Sequence, residues 1–124
     1  MQLVIDTNLL ISSLLVSTSL PAHLIVLWRE GRFDLLTSVA QLDELMRVTR
    51  YPKIRERLAP ALAGRLINEV RDLAILVTNL PVVTASSDPY DNYLLAMASA
   101  GSADFLLTGD KRADSDGSRP GIPI

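Results

Sequence analysis

Residues 88–111 read DPYDNYLLAMASAGSADFLLTGDK. The stretch predicts a helix that runs straight into a strand. Asp88 stands at the cap position, Pro89 at the first helical position and Gly101 just past the end. "ADFLLT" is then a short apolar run bounded by turn residues, the pattern of a buried strand, and "GDK" is a turn. A helix feeding a buried strand implies a mostly parallel sheet with helices packed on it.

The same alternation recurs upstream. "QLVI" (2–5) reads as a buried strand and "TNLLISSLLV" (7–16) as a helix that either Asp6 or Thr7 can cap. "PAHLIVLWREG" (21–31) is a second helix, with Pro21 in its first turn and Gly31 past its end. "FDLLT" (33–37) is strand-like. "SVAQLDELMRVTR" (38–50) is a helix in which Ser38 and Gln41 fit a capping box, and Leu42, Leu45, Met46 and Thr49 share one face. "PALAGRLINEVRDLA" (60–74) is an amphipathic helix, "ILV" (75–77) a short strand, "TNLPVVTASS" (78–87) a loop and "GIPI" (121–124) a last short strand. The expected fold class is α/β, a three-layer α/β/α sandwich around a mostly parallel sheet.

Composition narrows the function. The 124 residues, 48% hydrophobic, make one domain (1–124) with a short polar tail at about 111–124. No cysteine is present, which excludes disulfides and cysteine-rich zinc sites and makes a reducing, cytoplasmic setting the expectation. No apolar run reaches the roughly 18 residues of a membrane span, and the N-terminus does not read as a signal peptide. The net charge of −2 argues against a simple electrostatic nucleic-acid binder. It argues less against an enzyme whose carboxylates hold cations.

In an open parallel sheet, ligands bind outside the carboxyl ends of the strands. Asp6 ends the first strand, and Asp110 follows "DFLLT" by one glycine. Asp91 lies in the first turn of the helix that starts from the same edge. Glu44 lies about two turns into its helix, with the length to reach back. Each has an ordinary alternative: Asp6 a cap, Glu44 a solvated face residue, Asp91 a helix-stabilising acid and Asp110 a turn residue. Together they make an oxygen-only cluster suited to Mg²⁺ or Mn²⁺, and such ions support phosphodiester hydrolysis by water. No cysteine is available as nucleophile, the single histidine, His23, reads as structural or surface, and no nucleotide-binding glycine loop occurs.

"VIDTNLLISSLL" (4–15), "TSVAQLDELMRVTRYPKI" (37–54), the 88–111 stretch and the closing "GIPI" together resemble the PIN domain, and more narrowly the bacterial PIN proteins classed as toxins of toxin–antitoxin pairs. The likeness runs from Met1 to about Arg112. It implies catalytic and metal-binding acids at Asp6, Glu44, Asp91 and Asp110, with support from Thr7, Asn8 and Thr108. It also implies an Mg²⁺- or Mn²⁺-dependent endoribonuclease acting on single-stranded RNA, dimerisation and inhibition by an antitoxin protein. On that reading Asp6→Asn abolishes cleavage and leaves the fold intact. "RVTRYPKIRER" (47–57) carries Arg47, Arg50 and Lys53 as candidate RNA contacts, or a salt-bridged surface. After Asp110 the chain departs from the family pattern: "KRADSDGSRPGIPI" lacks a closing helix, which is expected to weaken a dimer, expose an edge or lower activity. The alternatives are a non-catalytic RNA-binding or regulatory scaffold and, more remotely, a phosphate-transfer domain, which the absence of paired acids at Asp6 disfavours.

Overall fold

The computed structural model describes residues 1–80, 89–109 and 121–123, with residues 89–92 and 121–123 as backbone only. Strand β1 (Gln2–Ile5) leads into α1 (Thr7–Leu15) and α2 (Leu20–Arg29). Strand β2 (Asp34–Thr37) leads into α3 (Val39–Val48), the short α4 (Pro52–Arg55) and α5 (Pro60–Leu73). Strand β3 (Ile75–Leu76), helix α6 (Pro89–Ala100), and strands β4 (Phe105–Leu107) and β5 (Gly121–Pro123) follow.

The sheet order is β3-β2-β1-β4-β5. Strands β1 to β4 pair in parallel, and β5 pairs antiparallel with β4. The central strands are apolar on both sides because helices cover both sides. Leu3, Ile5, Leu35 and Leu107 face a core shared with Leu10 of α1, Trp28 of α2, Leu45 of α3 and Val70 of α5. Their neighbours Val4, Leu36 and Leu106 face the opposite core, with Leu94 and Met97 of α6. This is the expected three-layer sandwich.

Local chemistry sets the ends of the elements. Helix α2 stops in a Schellman motif, in which the Gly31 N–H donates to Trp28 O (2.9 Å) and the Arg32 N–H to Leu27 O (3.0 Å). Gly31 takes the left-handed position, φ +76°, as its place past the helix end predicts. Helix α6 ends in the same way, but the left-handed residue there is Ser102, φ 54°. Its N–H donates to Ser99 O, and the next, of Ala103, to Ala98 O. Gly101 serves a different need. A Cβ there would stand 2.6 Å from Leu36 Cδ1 and 3.0 Å from Val77 Cγ2, so the absent side chain lets α6 lie against β2 and the end of β3.

Two expectations for α3 are corrected. Its buried residues are Gln41 and Leu45, whereas Met46 is exposed. The inner stripe is rotated by one position because Gln41 is drawn inward by hydrogen bonds. The capping box is half formed: Ser38 Oγ accepts from the Gln41 N–H (3.2 Å), but the Gln41 side chain turns away to other partners. Helix α4 falls in the stretch read only as basic. The predicted Asp88 cap, the loop over 81–87 and the turn at Asp110 and Lys111 lie outside the described residues.

Candidate active site

The strand order reverses at β1. The chain passes from β1 outward to β2 and β3, then returns across the sheet to β4 on the other side of β1. In parallel α/β sheets the crevice at such a switch point, at the carboxyl ends of the strands, is the usual ligand site. Asp6 leaves β1 there, and Thr108 and Gly109 leave β4 there. The Asp6 N–H extends the ladder to Leu107 O (2.9 Å).

Asp6 itself is the N-cap of α1, and Thr7 is the first helical residue, so the option of a Thr7 cap is corrected. Asp6 Oδ1 accepts from the Leu9 N–H at 2.8 Å. Asp6 Oδ2 accepts from the Thr108 hydroxyl at 2.9 Å and from the Gly109 N–H at 3.0 Å. The residue is 2% exposed. The cap is thus established, and serving as the cap leaves the same carboxylate a candidate site acid. A carboxylate offers about four acceptor positions. Three are filled here, and the remaining one, on Oδ1, can take a cation.

A buried polar frame lies behind this edge. Gln41, fully buried, donates from Nε2 to Ile5 O (2.7 Å) and accepts at Oε1 from the Thr37 hydroxyl (2.8 Å). The Ser38 hydroxyl donates to Met97 Sδ (3.1 Å). Gln41 thereby ties the ends of β1 and β2 to α3 at the peptide carbonyl that immediately precedes Asp6. Thr7, also fully buried, has its hydroxyl 3.2 Å from the Tyr93 hydroxyl, linking α1 to α6. Among the supporting residues expected from sequence, Thr108 touches Asp6, Thr7 braces the helix start, and Asn8 is exposed.

The other acids are less assembled. Glu44 of α3 is partly buried, with 17% of its side chain exposed, and it pairs with Arg47 one turn along. That pairing occupies one of the three cations expected to meet RNA; Arg50 and Lys53 are exposed. Asp91 holds its place in the first turn of α6, but its side chain, like the whole of Asp110, lies outside the described residues. Among the described residues no group of three acids or histidines is close enough to hold a metal ion. His23 is exposed on α2. Gln41, Tyr93 and the Gly109 N–H were not singled out as site residues from sequence. The signal for Gln41 was its position four residues before Leu45 on the inner stripe.

Residues 2–112 match the family model of the PIN domain. The chain belongs to the PIN domain family. PIN domains are in general nucleases, and they typically use divalent metals. The match spans every described strand except β5. No curated protein shows significant similarity to the chain. Among the described residues no single helix is long and apolar enough to cross a membrane.

Proposed function

We propose that this PIN domain is an Mg²⁺- or Mn²⁺-dependent endoribonuclease that hydrolyses single-stranded RNA, the toxin of a toxin–antitoxin pair. The observation that carries the reading is Asp6: a buried carboxylate at the switch point of the sheet, oriented by three donors, with one acceptor position left over. Asp6, Glu44, Asp91 and Asp110 would hold the metal. Their oxygen-only chemistry fits a hard cation and excludes a thiolate or imidazole site. When bound, the metal supplies an activated water and offsets the charge of the phosphate.

The protein's own contribution is positional. Thr108 and Gly109 fix one oxygen of Asp6, Leu9 fixes the face of the other, and Gln41 holds the peptide on which Asp6 stands. Exposed cations at the end of α3 supply attraction for the RNA backbone. A cytoplasmic homodimer silenced by an antitoxin protein completes the proposal.

The test is RNA cleavage with Mn²⁺, with EDTA and with Asp6→Asn. Cleavage by the wild-type chain that is lost in both controls supports the reading. Cleavage that persists in Asp6→Asn rejects the role given to Asp6. The pairing of Glu44 with Arg47 favours a second reading, a non-catalytic RNA-binding scaffold. Such a scaffold binds RNA equally well in EDTA and never cleaves it.

A further inference from the structure

Charge is unevenly distributed along this chain. Between Arg47 and Arg65 six basic residues face one acid, Glu56, a local balance of +5 in a protein whose net charge is −2. The structure gathers part of this excess into a groove of about 330 Å³ between the end of α3, α4 and α5. Arg50, Arg55 and Arg71 line it, with Met46, Ile67 and Asn68. Arg71 is held by Asn68 (2.8 Å) and Asp72 (3.3 Å). Arg50 and Arg55 have no acidic partner among the described residues, although acids elsewhere on the surface pair with Arg29, Arg32 and Arg47. Two unpaired guanidinium groups converging on one concavity repel each other unless an anion lies between them.

We infer that this groove binds the phosphate backbone of a single-stranded RNA, at a docking site separate from the carboxylate edge. Three observations select a nucleic-acid strand. Guanidinium groups match phosphate oxygens in paired hydrogen bonds. Tyr51, 47% exposed, follows the groove-lining Arg50 directly in the chain and, though not part of the lining itself, offers a base a stacking surface beside it. Met46, 39% exposed, adds an apolar wall of the kind a base covers. The groove also lies a helix's length from Asp6, with Glu44 on the same helix between them. Helix α3 starts at the carboxyl end of β2, on the Asp6 edge, and its ten residues span about 15 Å to the groove. A strand held there by its backbone has its neighbouring nucleotides free to lie along α3 toward Asp6. The inference rests on the nuclease reading for its choice of RNA; of the expected contacts it keeps Arg50, and Arg55 takes the place of Arg47 and Lys53, which do not line the groove.

The experiment measures binding of a short fluorescein-labelled single-stranded RNA to the full chain in EDTA, where no metal-dependent cleavage occurs. Arg50→Ala and Arg55→Ala are each expected to weaken binding about tenfold at low salt. Each should also lower the slope of log K against log salt by roughly 0.7. Arg32→Ala, the same charge change on the loop after α2, should change neither. Equal weakening by Arg32→Ala, or none by the groove variants, overturns the groove. Competition by polyglutamate as strong as that by polyuridine overturns the choice of RNA over an acidic peptide. Loss of cleavage in Asp6→Asn is scored separately, so either proposal can fall while the other stands.

Discussion

Asp6 and Thr108 are 102 residues apart in sequence and joined by a 2.9 Å hydrogen bond across the mouth of the sheet. The bond connects the ends of β1 and β4, the two strands that flank the crevice. With the Leu9 and Gly109 N–H groups, it gives the Asp6 carboxylate three donors. An amide cannot replace it neutrally. In either orientation of an asparagine, its NH₂ group meets a backbone N–H that also donates.

Asp6→Asn is therefore predicted to destabilise the fold by about 1–3 kcal/mol, as well as to remove the proposed metal ligand. This revises the expectation that the variant leaves the fold untouched. Thermal unfolding followed by fluorescence of Trp28, the single tryptophan and a buried one, reads the effect. A melting temperature equal to the wild type's would show that the three donors contribute nothing net. Activity assays on this variant belong well below its lowered melting range.

Gln41→Leu removes one donor and one acceptor from a fully buried position. It leaves Ile5 O and the Thr37 hydroxyl without their partner, at a predicted loss of about 2–4 kcal/mol. Adding Thr37→Val deletes the orphaned hydroxyl, so the double variant should lose less than the sum of the two single changes. Simple additivity in denaturant titrations would mean that Gln41 and Thr37 do not act as a unit.

Two adjacent residues at the end of α6 should respond in opposite directions. Gly101→Ala forces a Cβ against Leu36, Val77 and the Met97 carbonyl, and should cost about 1–3 kcal/mol. Ser102→Gly relieves a side chain held at φ 54° and should stabilise by about 0.5–1 kcal/mol. Destabilisation by both changes would refute the division of labour between them.

Arg29 clasps Glu69 with two bonds, 2.8 Å from Nε and 2.6 Å from an NH₂ group, and so ties α2 to α5. The hydrogen bond to Glu69 raises the guanidinium further above its already high range, against the opposing effect of burial. A raised basic group contributes its stability at every pH below its unfolded value and loses it only as pH climbs past the folded one. The Arg29→Ala penalty, about 0.5–1 kcal/mol for a pair this exposed to solvent, should thus be the same at neutral and mildly alkaline pH. A penalty that shrinks over that interval would contradict the assignment.

The fold was largely legible because its signals are local. Pro89 and Gly31 mark helix boundaries, and the strands show as short apolar runs. Apolar residues on both sides of β1 and β4 announce a sheet covered on both faces. The edge that holds Asp6 was legible too, since topology alone puts strand ends together. What escaped was long-range polar pairing. Gln41 has an ordinary capping-box spacing from Ser38, and nothing near it in the chain says that Ile5 O will be its partner. The role of Gly101 was hidden similarly: the helix ends where expected, but the glycine is there for the proximity of Leu36, sixty-five residues away in the chain, and not to end the helix. The Glu44 and Arg47 pair sits at a spacing that any helix allows, and sequence could not tell it from two solvated charges.

The triple engagement of Asp6 changes what its presence can be taken to mean. An acid kept only for chemistry is free to drift once the chemistry is no longer needed. This one also starts a helix and clasps two strands, so a chain with no use for its chemistry would still keep it to stay folded. Among the described residues Glu44, partly buried, is bonded only to Arg47 and shows no such structural duty. On the proposed reading, in which both acids serve the metal, retention of the glutamate rather than the aspartate across related chains is the mark that reports on the chemistry.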